Sequence, residues 1–465
     1  MSDRERPATM NAPLTHRPGV RSLKLNTLFA VGGTGLFQAC QFGVVVLLAK
    51  IALPEVLGQV LYSLAVATPL IVFCSLELRG ALVADTAAEF TFGTYRALRR
   101  ATMAVAGFAL VGLAAWDARR EPSFVYAIIF VGMGGGKIIL HLAEANWGLL
   151  QKRERLDLLA GSVALRGIVM MVAFGVIVPL AVLWGRSGET PVNRSAEGAA
   201  LAVSVYVAIS ALLLFVYDRP CVAARPDHDP SWNWPGVWRL ARQTFPLGLV
   251  VLMLHLCNSI PQLVIGGETN GKAAVGRFGA LALVTLAGNL LVFQSAYAAA
   301  NRLSAYYQTD LPAFLRLLGK LLALAVGVGA VALAVTFGCG QWLLRVLFRP
   351  EYVEHYAAFQ VIVVAQCLAL LTSVLGVTVT QMRLFWLQVP AQVVVLASTG
   401  VAALLLIHSA TDLVAGGAWT MLVRSIVHLA LYVGCAAVGL ALRSRLRQRP
   451  PVAVEGPPAA TSELP

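Results

Sequence analysis

Lys137, His141 and Glu144 stand at i, i+4 and i+7 inside an apolar stretch from about Phe124 to Leu150, so a helix there carries all three on one face. An ammonium, an imidazole and a carboxylate grouped in this way can hold an oxyanion and exchange an ion. The blander reading is an ion pair that makes a buried helix tolerable. Arg166 and Arg424 interrupt two further apolar runs. Ionisable groups at membrane depth are costly, so they face a protein interior or a watery cavity and are functional candidates by default. Arg424 shares a helical face with Thr420 and His428, while Arg166 is either a cavity residue or a satisfied buried or snorkelling one. His255, Asn258 and Gln262 form another polar face beside Pro261, which removes a backbone hydrogen bond and permits a kink. These four are expected to line a cavity or act as a hinge. Lys137, His141, Arg166 and Arg424 together make a cationic cavity suited to an anionic cargo, with Glu144 as the group for ion coupling.

The elements that must position these groups are membrane helices. The 465 residues are 58% hydrophobic and 13% charged, and a soluble protein of that size needs more polar cover. Runs of about 20 apolar residues recur along the chain, each long enough to cross the hydrocarbon of a bilayer. The expected fold is an all-α integral membrane protein with about twelve spans: 27–49, 57–77, 101–116, 124–149, 160–184, 199–217, 245–265, 278–300, 321–341, 356–379, 389–408 and 415–441. Of the 36 Lys and Arg residues, 24 fall in the N-terminal tail, the even-numbered loops and the C-terminal tail, and nine in the odd-numbered loops. The positive-inside rule therefore places both termini in the cytoplasm. The same scatter of charge through short loops argues against nucleic acid as the partner of this +13 chain.

The expected organisation is a cytoplasmic tail (1–26), a six-helix half (27–217), a cytoplasmic linker (218–244), a second six-helix half (245–441) and a tail (442–465) that begins basic and becomes Pro/Ala-rich. That last tail is expected to be disordered, with its basic part near anionic lipid headgroups. An internal repeat supports the halves. Residues 58–68 align with 276–286, and Gln151-Lys152-Arg153 aligns with Gln381-Met382-Arg383. Six spans per half implies a parallel repeat about an axis normal to the membrane, with cargo between the halves. In the second alignment Cys367, Leu371 and Val374 fall at Lys137, His141 and Glu144, so the cationic site is expected to be lopsided.

Other motifs give way to simpler readings. Gly266-Gly267-Glu268-Thr269-Asn270-Gly271-Lys272 matches the start of a phosphate-binding loop, but Ala273 replaces the hydroxyl that would hold magnesium, and a membrane helix precedes it where a strand is required. The seven cysteines are dispersed without a C-x-x-C pair, and the three membrane histidines lack a ligand-spaced partner set. No cofactor or metal is expected, and no ATP-hydrolysing or other enzymatic site.

Several segments resemble the bacterial polysaccharide repeat-unit flippases (Wzx type) of the multidrug/oligosaccharidyl-lipid/polysaccharide exporter superfamily. Leu53-Pro54-Glu55-Val56-Leu57-Gly58 is similar to the first outer loop of that family, although Leu53 and Gln59 depart from its commonest wording. Leu78-Arg79 through Asp85, Glu89-Phe90, Phe92-Gly93, Tyr95 and Leu98-Arg99 resemble the segment after its second helix. Gln151 to Asp157 with Ser162 and Arg166-Gly167 is similar to the loop between its fourth and fifth helices, and Asn258 to Pro261 and Leu347 to Tyr352 fit its second half. The resemblance implies a cargo, a polyprenyl-pyrophosphate-linked oligosaccharide. It would move from the cytoplasmic to the periplasmic leaflet of the bacterial inner membrane for O-antigen, capsule or exopolysaccharide synthesis. It further implies ion-coupled rocking of two halves driven by protons or sodium, a lipid tail left in the bilayer, and polysaccharide polymerase machinery as a partner. A multidrug exporter of the same superfamily would favour an acidic cavity, and a lipid II flippase would have fourteen spans.

Overall fold

The computed structural model describes residues 23–85, 88–120, 122–184, 190–223, 229–382 and 384–447. Most of both expected tails (1–22 and 448–465) lies outside them. The described chain forms helices α1 (Leu23–Ile51), α2 (Pro54–Ser75), α3 (Leu78–Ala84), α4 (Phe92–Arg120), α5 (Phe124–Lys152), α6 (Leu156–Trp184), α7 (Pro191–Leu213) and α8 (Arg219–Ala223). It continues through α9 (Trp234–Gly267), α10 (Gly271–Val284), α11 (Leu286–Thr309), α12 (Leu311–Leu347), α13 (Tyr356–Gln381), α14 (Phe385–His408) and α15 (Leu413–Arg447). Local chemistry sets the starts. Ser123, Thr190, Asn233 and Asp310 each accept a backbone N–H from the first turn of α5, α7, α9 and α12, and proline occupies one of the first two positions of α2, α7, α9 and α12.

Eleven helices are long and apolar enough to cross a bilayer. The eighth crossing is shared by α10 and α11, which meet at Thr285 where a single span is expected from the sequence. Helices also outrun their apolar stretches. The seventh begins at Trp234, well before residue 245, and the sixth crossing continues through a π-helical turn (Leu214–Asp218) in which Asp218 is fully buried. Exposed apolar side chains such as Phe108, Val331, Phe337, Leu405 and Val433 face outward, as a hydrocarbon solvent requires.

Packing order reveals the repeat. In the first half α1 packs on α6, α6 on α7, α7 on α5, and α5 and α4 on α2 and on each other. The second half repeats this with α9 on α14, α14 on α15, α15 on α13, and α13 and α12 on α11 and on each other. Gly58 and Gly276, aligned by the sequence repeat, lie against each other where α2 meets α10. A Cβ on Gly58 would collide with the Lys272 carbonyl, and one on Gly276 with the Pro54 carbonyl.

The two halves are fused unevenly. At the face opposite the termini, one apolar core runs through both, from Val56, Leu57 and Val60 to Ile265, Val275, Phe278 and Leu344. Along one side α2 and α4 pack on α9, with Phe73 and Phe245 edge to face at 5.7 Å and the Gly93 N–H donating to the Asp229 carbonyl (2.8 Å) at the terminal end. On the other side α1 meets α10, whereas α11 makes no more than marginal contact with α1. Toward the terminal face a core of Leu78, Tyr95 and Leu150 with Val237 and Leu240 still joins the halves on the α9 side, while the cores around Val292, Leu303, Leu370 and Val379 and around Phe37, Trp147 and Val163 are separate. The halves are joined at the far face and along the α2, α4 and α9 side, and part toward the terminal face only on the α1 and α11 side.

Candidate functional site

On the first half, α5 presents the face expected from its sequence. His141 Nδ1 lies 2.7 Å from Glu144 Oε2, with His141 buried and Glu144 half-buried. Lys137 is half-buried one turn away and has no hydrogen-bond or ion-pair partner among the described residues. Its ammonium and His141 are within electrostatic reach of His255 on α9, so the two halves face each other here.

Arg99 belongs to the same cluster, and its position in a basic run that reads as a loop gave no sign of it. Its guanidinium Nη2 is 3.8 Å from Glu144 Oε2, the residue is 1% exposed, and none of its three nitrogens has a hydrogen-bond partner among the described residues. Glu77 and Arg79 lie within electrostatic reach, and Arg79 donates to Gln151 Oε1 from Nε (3.1 Å) and Nη2 (2.8 Å). Glu77 is brought there by a break between α2 and α3 in which Leu76 (φ 50°) and Glu77 (φ 48°) are both left-handed. Two consecutive non-glycine residues in that region store strain of a kind that gathers at functional sites.

Of its two readings, Arg166 takes that of a buried structural residue. It is fully buried among α6, α5 and the turn after α7, where Nη2 donates to Asp218 Oδ2 (2.6 Å) and Nη1 to Ser162 Oγ (2.5 Å). Ser162 in turn donates to Asp218 Oδ1 (2.6 Å), and Trp147 Nε1 donates to Ser162 Oγ (2.9 Å). Both terminal nitrogens are bonded, Nε has no partner among the described residues, and the buried guanidinium ties the first half together.

The second half holds a cavity of about 710 Å³ lined by α9, α10, α11, α13, α14 and α15. Arg424, Asn258 and Gln262 are among its lining residues. Arg424 Nη1 donates to Asn258 Oδ1 (2.7 Å) and to the Cys257 carbonyl (3.2 Å), both neutral acceptors on α9. His428 joins it with Nε2 unpartnered among the described residues and its ring 4.7 Å from that of Tyr432, whereas Thr420 is fully buried and donates to the Gly416 carbonyl. Pro261 is buried within a helix that continues unbroken to Gly267. Lys137, His141 and Glu144 are not among the lining residues. The single lopsided cationic site therefore resolves into two walls, a charged one on the first half and a neutral polar pocket carrying Arg424 on the second, with His255 between them.

At the far face Lys272, the last residue of the discounted phosphate-loop motif, joins the halves. Its Nζ donates to Gln59 Oε1 (2.7 Å), lies 3.4 Å from Asp117 Oδ1 and sits 3.7 Å above the Tyr62 ring. Arg349 Nε and Nη2 donate to the last carbonyls of α1, Lys50 (3.0 Å) and Ile51 (3.1 Å).

No family profile matches the sequence. A search of curated proteins finds the capsular polysaccharide biosynthesis protein CapF of Staphylococcus aureus, 22% identical over 327 residues, 69% of this chain and 76% of that protein. Among solved structures, an inward-facing multidrug resistance MATE family transporter of the MOP superfamily superposes with a TM-score of 0.67 at 12% identity, covering 90% of this chain and 99% of that one. The lipid II flippase MurJ in an inward closed conformation gives 0.66 at 11% identity, over 91% and 93%. A MOP superfamily transporter from Pyrococcus furiosus, described as having a binding pocket of reverse polarity, gives 0.60 at 14% identity, over 92% and 96%. The fold is that of the MOP superfamily transporters. These neighbours are described as transporters and a flippase.

Proposed function

We propose that this protein is a flippase that carries a polyprenyl-pyrophosphate-linked oligosaccharide from the cytoplasmic to the periplasmic leaflet of a bacterial inner membrane. The observation that carries the reading is the pair of cations without carboxylate partners, Lys137 and Arg424, one on each half, beside a space that parts toward the terminal face. Buried cations without acidic partners favour an anionic ligand by charge-assisted hydrogen bonds. A cavity built for cationic drugs would carry the opposite sign. The resemblance to CapF is consistent with a role in capsule or related polymer synthesis.

In this reading the terminal face is cytoplasmic and the structure is inward-open. Lys137, with His141 and His255 beside it, receives the diphosphate, while the prenyl tail stays in lipid beside the parted edge of α1 and α11. Binding offsets the positive charge of Lys137, which acts on Glu144 only through space, and Glu144 exchanges a proton or sodium ion as the halves rock. The far-face contacts of Lys272 and Arg349 then open.

The deciding experiment is deletion of the gene followed by quantification of lipid-linked sugar on each leaflet. Accumulation on the cytoplasmic leaflet, reversed by the wild-type gene and not by Lys137→Gln, is expected. Drug hypersensitivity without accumulation would replace the flippase with an exporter. Glu144→Gln is expected to abolish the pH or sodium dependence of transport, and normal transport with unchanged dependence would remove Glu144 from coupling.

A further inference from the structure

We infer that the second-half cavity is the subsite for the sugar portion of the cargo, and that Arg424 makes it select a glycan bearing an acidic residue. The inference rests on the flippase reading and adds a cargo class to it. The lining contains five glutamines and two asparagines, and among the described residues no carboxylate and no lysine. A primary amide both donates and accepts, which matches a sugar hydroxyl that does the same. Gln392 is only 2% exposed, with Nε2 on Cys257 Sγ (3.4 Å) and Oε1 accepting from nothing among the described residues. Gln388 Nε2 is fixed on Thr380 Oγ1 at 2.9 Å, so this amide is held in place. Phe293 and Tyr297 stack 6.1 Å apart along the α11 side, and both are exposed, giving flat apolar surface of the kind a sugar ring covers.

Shape agrees with the chemistry. The cavity follows α13 from Gln366 to Gln381. At 1.5 Å per residue that is about 22 Å, the length of a short oligosaccharide and far more than a diphosphate. Its volume lies within the range of sites that enclose an organic ligand.

Arg424 supplies one full charge here. Its Nη1 is occupied by the Cys257 carbonyl and Asn258, and no hydrogen bond from Nη2 or Nε to protein is found among the described residues. A diphosphate in this pocket would leave charge uncompensated, whereas a single carboxylate or phosphodiester on a sugar matches one guanidinium. The carrier's own diphosphate is a second source of the same oxyanion chemistry, so the two are separated by experiment.

Full-length protein in lipid nanodiscs is titrated with sialyllactose (one carboxylate), fucosyllactose (neutral) and inorganic pyrophosphate. Wild type is expected to bind the acidic trisaccharide at least about tenfold more tightly than the neutral one, the size of one charge-assisted hydrogen bond. Arg424→Gln should bring the two level while keeping neutral binding, which doubles as the folding control. Lys137→Gln should weaken pyrophosphate and leave the acid preference intact. If Arg424→Gln does not fold, Gln388→Glu puts a carboxylate in the same cavity and should weaken sialyllactose alone. Equal binding of the two trisaccharides by wild type, or binding of neither, overturns the proposal. So does displacement of sialyllactose by pyrophosphate in a manner lost with Arg424→Gln. None of these outcomes alters the leaflet-accumulation result, so the flippase reading stands or falls separately.

Discussion

Arg99 and Arg166 are both almost completely buried in the first half, yet only Arg166 meets a carboxylate at hydrogen-bond distance. Removing one partner of a satisfied buried pair leaves an uncompensated charge, so Arg166→Met is expected to cost about 3–5 kcal/mol of stability. Arg99 sits 3.8 Å from Glu144 with no hydrogen bond among the described residues, and Glu144 keeps its contact with His141, so Arg99→Met should destabilise less than Arg166→Met. It should nevertheless impair transport, because Glu144 loses its cationic neighbour. Thermal unfolding of the two variants in detergent, beside the leaflet assay, separates these outcomes. The sequence made the Lys137, His141 and Glu144 face visible because helical spacing and apolar surroundings coincide there. Arg99 stayed hidden because α4 begins nine residues before its apolar stretch, so Arg96, Arg99 and Arg100 look like loop residues. Arg166 stood out as an interior residue, but its partner Asp218 appeared to open a linker. The left-handed pair Leu76 and Glu77 carries no glycine to announce it.

Among the elements, the contact of α2 with α10 sets which face is closed. Backbone approach at Gly58 and Gly276 leaves no room for a side chain, and Lys272 reaches across to Gln59 and Asp117. Gly276→Val should therefore prevent closure of the far face. Lys272→Gln removes charge-assisted contacts worth about 1.5–3 kcal/mol and should shift the closed-to-open ratio by about ten- to a hundredfold. Thiol labelling of a cysteine placed at Val56, fully buried in the far-face core, in a background free of other reactive cysteines, reads the change directly; unchanged labelling in both variants would exclude this contact as the gate. The number of crossings could be counted from hydropathy, and so could their pairing into halves. Their ends could not, because polar turns extend the helices beyond the hydrocarbon-length segments. The eighth crossing looked continuous because the break at Thr285 lies between two apolar runs, and hydropathy averages across it. The rejection of a phosphate loop at Gly266 to Lys272 followed from topology, although the use of its lysine as an inter-half contact needed the α2–α10 packing to become visible.

In the whole molecule, fusion is strong at the far face and along α2 and α9, and weak where α11 diverges from α1. The two aligned glycines mark the axis about which the halves are related, and the charged clusters do not obey that symmetry. In the proposed cycle the halves tilt against each other at this contact, and the charged wall and the amide-lined pocket are exposed together to one face and then to the other. Covalent linkage of α1 to α11 through engineered cysteines at their terminal halves should abolish cargo entry without disturbing the fold, and reduction should restore it. An edge that parts toward lipid also separates the energetics of the two ends of an amphiphile. If the prenyl tail never leaves the hydrocarbon, each additional isoprene unit is solvated identically before, during and after the crossing. Transport rate should then be indifferent to chain length, and a carrier truncated to a few isoprenes should fail only by leaving the membrane, not by losing its grip on the protein.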